Sequence, residues 1–137
     1  MARTANYYDI DSPRDPAWEF VDFPGADHDE IPDSLGVYRF VCTQDGDSQT
    51  MYVESAPDDY GDTIQECYVE HCSLRLDPDS AFYELYCRQD VHFEHFACGN
   101  KVAQKHKHKI VANLKPFYNT VVKYKVSGVP AADPFKH

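Results

Sequence analysis

Apolar and polar positions fall into the clearest pattern from residue 36 onward. Gly36-Val37-Tyr38-Arg39-Phe40-Val41-Cys42 is rich in β-formers, with Val37, Phe40 and Val41 as its apolar members. Gln44-Asp45-Gly46-Asp47 is a turn signal, and Thr50-Met51-Tyr52-Val53 resumes the strand character, so this stretch predicts a hairpin. Pro57 followed by Asp58 and Asp59 reads as a helix start, because proline fits the first turn and acids favour its positive end. Tyr60, Ile64, Cys67, Tyr68 and His71 recur at helical spacing and predict an amphipathic helix over about residues 58–72.

Downstream, Leu76-Asp77-Pro78-Asp79 is a loop, and residues 80–88 satisfy either a helical or a strand period. The alternation in Val91-His92-Phe93-Glu94-His95-Phe96 suits a strand. Gly99-Asn100 opens a lysine-rich helix over about 100–114, with Ala103, Ile110 and Leu114 as its apolar stripe and Val111 alongside; Pro116 stops it. Val121–Val126 predicts a last strand. Residues 1–34 differ in character: Pro13, Pro16, Pro24 and Pro32 are too closely spaced for long helices. Trp18, Phe20 and Phe23 are expected to anchor part of this stretch against the domain. The whole predicts an α/β fold of the α+β type, a small central mixed or antiparallel sheet flanked by helices. Its parts are an acidic, Pro-rich arm (1–34), the domain (35–126) and a tail (127–137).

A chain of 137 residues, 42% apolar and 14% aromatic, can bury one core but rarely two. Apolar runs stay well short of the roughly 18 residues a membrane span needs, and Met1–Ile10 lacks a leader's apolar stretch. The expectation is an intracellular, cytoplasmic protein (or a nuclear one in a eukaryote) without a membrane partner. Five cysteines, an odd number with no C-x-x-C pair, argue against a secreted disulfide framework. Charge adds an asymmetry. Residues 1–98 hold 5 Arg against 22 Asp and Glu, a net of −17, while residues 99–137 hold 8 Lys against one Asp, a net of +7. An acidic surface repels a polyanion, yet a local basic face can still bind one.

Three short segments carry a resemblance. Gly36-Val37-Tyr38, Tyr52-Val53-Glu54 on the next strand, and Leu114-Lys115-Pro116-Phe117-Tyr118-Asn119 after a helix occur in the order of the GIY, YIG and closing motifs of the GIY-YIG nucleases. Over about residues 35–119 the chain resembles a degenerate member of that family. The resemblance implies hydrolysis of DNA phosphodiesters with one divalent metal, Mg or Mn. Tyr38 and Tyr52 would stand at the scissile phosphate and Asn119 would support the site. A cation and a metal to offset developing charge are what such chemistry requires. Two of the implied side chains are missing: the arginine position falls on Asp62 and the metal glutamate on Lys107. The second motif's glycine is Glu54.

The reading that follows is a non-catalytic binding or regulatory module, whose target is nucleic acid or a nucleic-acid-acting protein. Lys101, Lys105, Lys107, Lys109 and Lys115 are its binding candidates, and no cofactor or metal is expected. Two alternatives stand beside it. One is a metal-dependent endonuclease with a rearranged site, using Tyr38, Tyr52 and Glu54 as a relocated Mg or Mn ligand. The other is an acidic decoy whose surface imitates a phosphate backbone. Each residue also has a plain role: the tyrosines as hairpin packing, Glu54 as an exposed carboxylate, the lysines as a solvated face. Cys67, His71, Cys72, His92, His95, Cys98, His106 and His108 suggest structural zinc, but match no standard ligand spacing. The resemblance sets geometric conditions. Tyr38 and Tyr52 must share a sheet face, Ile64 must point inward, and Asp62 and Lys107 must both face the cleft, where they could pair.

Overall fold

A computed structural model describes residues 17–87 and 90–119. The hairpin forms as its turn chemistry requires. Strands β2 (Gly36–Gln44) and β3 (Asp47–Ala56) are joined by Asp45 and Gly46, both at positive φ (54° and 84°), which matches the twist of the flanking strands. A bulge follows: Phe40 pairs with Tyr52 but Val41 pairs with Thr50, leaving Met51 as the extra residue. Strand β4 (Val91–Ala97) pairs with the other side of β2. Strand β1 (Glu19–Asp22) pairs with β4, giving one antiparallel sheet in the order β1-β4-β2-β3.

Strand alternation gives the sheet two different faces. Tyr38, Phe40 and Cys42 point to one side with Tyr52 and Phe93, and there they meet helix α1 (Ile64–Leu74) and the short helix α2 (Tyr83–Tyr86) in the main core. Val37 and Val53 point to the other and meet helix α3 (Asn100–Leu114) through Ala103 and Ile110. The α+β expectation holds, with an antiparallel sheet flanked by helices.

Three local expectations need correcting. Helix α1 begins at Ile64, not near residue 58, because Asp58 turns the chain locally: its carboxylate accepts from the Tyr60 N–H at 2.7 Å, and Asp58 and Gly61 bridge each other's backbone. Thr63 is the N-cap, its hydroxyl accepting from the Glu66 N–H. Leu114 is 39% exposed in the last turn of α3; His106 takes the buried place between Ala103 and Ile110. The described part of the arm joins the sheet, with Phe23 and Ile31 buried in the core. Phe20 is not an anchor: it lies on an edge strand and is 68% exposed. Residues 1–16, the expected strand Val121–Val126 and the tail lie outside the described residues. Among the described residues no helix is long and apolar enough to cross a membrane.

Gly36 packs tightly against β4 opposite Ala97. A Cβ there would lie 2.3 Å from the Phe96 carbonyl oxygen and 2.9 Å from Ala97 Cα, contacts that only backbone movement can relieve. Gly36→Ala is expected to lower stability by about 1–3 kcal/mol or more. The check is the urea midpoint at unchanged m-value; an unaltered midpoint would show that the strands can part without cost.

Candidate functional site

Register decides where the hairpin tyrosines stand. Tyr38 is opposite Glu54 and Phe40 is opposite Tyr52, so Tyr38 and Tyr52 share the α1 face, with ring centroids 6.4 Å apart. Ile64 points inward as expected. Both tyrosines are enclosed, however: Tyr38 is 0% exposed and Tyr52 2%.

A buried hydroxyl needs partners. Tyr38 donates to the Asp58 carboxylate at 2.6 Å, and His71 Nε2 lies 3.3 Å from the same hydroxyl. His71 Nδ1 is 2.5 Å from the Tyr86 hydroxyl. The polarity of this chain follows from proton counting. Tyr38 has one proton and gives it to Asp58, so its oxygen can only accept from His71, which fixes the Nε2–H tautomer. Nδ1 is then bare and accepts from the Tyr86 O–H. All donors along this line point toward Asp58. Asp58 also accepts from the Cys67 thiol at 3.3 Å, which makes it the hub of the network.

Burial sets the protonation states. It raises Tyr38 well above the usual tyrosine range, with the Tyr52 and Asp58 charges adding to the effect, and it raises Tyr52 and Tyr86 similarly. Tyr60, tilted against His71 with centroids 4.4 Å apart, is pushed up to about 12 by burial and then by Asp58. Burial alone pushes His71 down to about 3. A tyrosine in this position cannot act as a base near neutral pH.

The remaining candidates have partners of their own or lie on the other sheet face. The ammonium of Lys107 closes on the Glu54 carboxylate rather than on Asp62; Asp62 is exposed, and its N–H donates to Glu66. Asn119 faces the backbone of the edge strand, accepting from the Val53 N–H at 3.0 Å and donating to the Val53 carbonyl at 2.8 Å. Lys101, Lys105 and Lys115 are exposed and Lys109 is half-buried, all on or just past the helix that covers the opposite sheet face. Those four lysines thus lie across the sheet from the enclosed tyrosines, while Lys107 reaches Glu54, the register partner of Tyr38.

Nor do these donors fit a metal. Glu54 carries Lys107 on its carboxylate, and the tyrosines beside it are buried and protonated. The zinc candidates are also dispersed, Cys67 donating to Asp58 and His71 sitting between two tyrosines. Among the described residues no group of three or more His, Cys, Asp or Glu side chains could hold a metal ion. Sequence reasoning missed Asp58 and Tyr86 as site residues. The pattern Pro57-Asp58-Asp59-Tyr60 carried a turn signal as well as a helix signal, and that was the available clue. No family model, no curated protein and no solved structure matches the chain.

His71 generates a pH prediction. Its folded pKa lies near 3, against 6.5 for an ordinary histidine, so only the unfolded chain takes up this proton between those values. Its contribution to stability is complete above pH 6.5 and is lost as pH falls toward 3. Between about pH 6 and 4, His71→Gln should flatten the dependence of unfolding free energy on pH by up to about 1.4 kcal/mol per unit. Parallel slopes in urea titrations of the two proteins would contradict a neutral, buried His71.

Proposed function

We propose that this chain is a non-catalytic binding module on a degenerate GIY-YIG-like scaffold, with a polyanion such as nucleic acid, or a protein that acts on one, as its target. The observation that carries this reading is the enclosure of Tyr38, whose hydroxyl is donated to Asp58 and has no access to a phosphate. The engagement of Glu54 by Lys107 and of Asn119 by the β3 backbone supports it.

Binding then falls to α3. The helix contains lysines and no acids, and its exposed Lys101 and Lys105, with Lys115 at its end, offer cations on the sheet face opposite α1. Phosphate contacts of this kind are sequence-independent and release counterions. The exposed acids Asp59, Asp62, Glu66 and Glu70 lie on and before α1. They keep the acidic-decoy reading as the second candidate.

Purified protein is expected to leave plasmid and branched DNA uncut with magnesium or manganese; cleavage abolished by Tyr52→Phe would establish the rearranged nuclease instead. DNA affinity should fall steeply with salt. Changing Lys101, Lys105 and Lys115 together to Gln should make the log–log salt slope shallower by up to roughly 2.7, at about 0.9 per phosphate contact. An unchanged slope removes α3 from the account. No binding at low salt moves the decoy reading to first place.

A further inference from the structure

On the α1 side of the sheet, between β1, β4 and the 3-10 turn at His28–Glu30, lies a cavity of about 500 Å³. Ile31 and Pro32 give it apolar wall, while the exposed acids Glu19, Asp29 and Glu30 also line it. The turn is anchored: Glu30 accepts from the Asp27 N–H at 3.2 Å, and Asp29 lies 3.4 Å from His28 Nε2. Glu19 stands directly opposite His95 in the β1–β4 register, so both side chains rise from one face of the sheet.

Carboxylates alone would describe only an acidic surface. His95 is the second, independent feature. It is 2% exposed and lines the cavity, and no hydrogen bond joins its ring nitrogens to another described residue. Burial lowers its pKa, with the Glu19 charge opposing, so the ring is neutral and offers a bare nitrogen as an acceptor. Its nitrogens are not sealed from solvent, so a ligand that donates to the bare one takes the place of water there.

The complement of these walls is a cation that carries N–H donors on an apolar stem. A guanidinium has the donors but is planar and wide; an ammonium has three donors on a narrow, rotatable stem. We propose that this cavity binds an alkylammonium group, with the nitrogen between Glu19 and His95 and the methylenes along Ile31 and Pro32. The ammonium belongs either to a free polyamine or to a lysine side chain of a partner. The site is separate from α3, so it stands or falls independently of polyanion binding.

The test uses the full chain, with 1,4-diaminobutane and Nα-acetyl-lysine methylamide as probes and tetramethylammonium, which has no N–H, as the charge control. Both probes should shift the His95 ring resonances in NMR spectra, and the control at equal concentration should not. Glu19→Gln, an exposed and therefore structurally tolerant change, should weaken binding in calorimetry by roughly tenfold or more, the usual effect of losing a hydrogen bond to a charged group. A tenfold preference for the lysine derivative assigns the site to a partner side chain, and the reverse preference to a polyamine. Shifts matched by tetramethylammonium, or affinity unchanged in Glu19→Gln, would overturn the proposal.

Discussion

A tyrosine hydroxyl placed in the middle of a core has to be hydrogen-bonded, and much of the α1 side of this molecule is arranged around that requirement at Tyr38. The acceptor is Asp58, brought in by the turn after β3; the donor is His71 from α1, itself oriented by Tyr86 of α2. Three elements that share little sequence proximity are tied through one line of donors. In a low-dielectric interior such a line stabilises only when every member is satisfied. The rings of Tyr52, Tyr60 and Phe82 close around His71, with centroids 4.4 to 5.9 Å away, and exclude water from it.

That enclosure bears directly on function. Phosphodiester hydrolysis needs groups that touch the substrate, whereas here the hairpin tyrosines, the Glu54 carboxylate and the Asn119 amide all satisfy the protein itself. The sheet also divides the exposed charge of these helices. Lysines crowd the helix on one face while carboxylates gather on the other. A charge asymmetry along the chain has become an asymmetry across the sheet.

Local chemistry made much of the fold legible. Asp45-Gly46 between alternating strands fixed the hairpin, Gly99 and Pro116 bounded α3, and the period of Ile64, Cys67, Tyr68 and His71 identified the buried side of α1. The failures have physical causes. Asp58 looked like an acid in a first helical turn, but its carboxylate took the Tyr60 N–H and delayed the helix to Thr63. A strand of four residues with Glu19 and Asp22 at its ends has the composition expected of a guarded edge, and that composition also reads as a loose arm. The Glu54–Lys107 pair depends on how α3 lies across β3, which no local pattern specifies.

Asn119 has a consequence beyond the site it was expected to support. Its primary amide presents one acceptor and one donor in the spacing of a peptide group, so at Val53 it stands in for a neighbouring strand. An open sheet border is a template on which other molecules can assemble. Met51, Tyr52 and Val53, all buried, form the sticky stretch of that border. By occupying the hydrogen-bonding groups of Val53, one side chain closes that point of the border, among the described residues, to pairing by another strand.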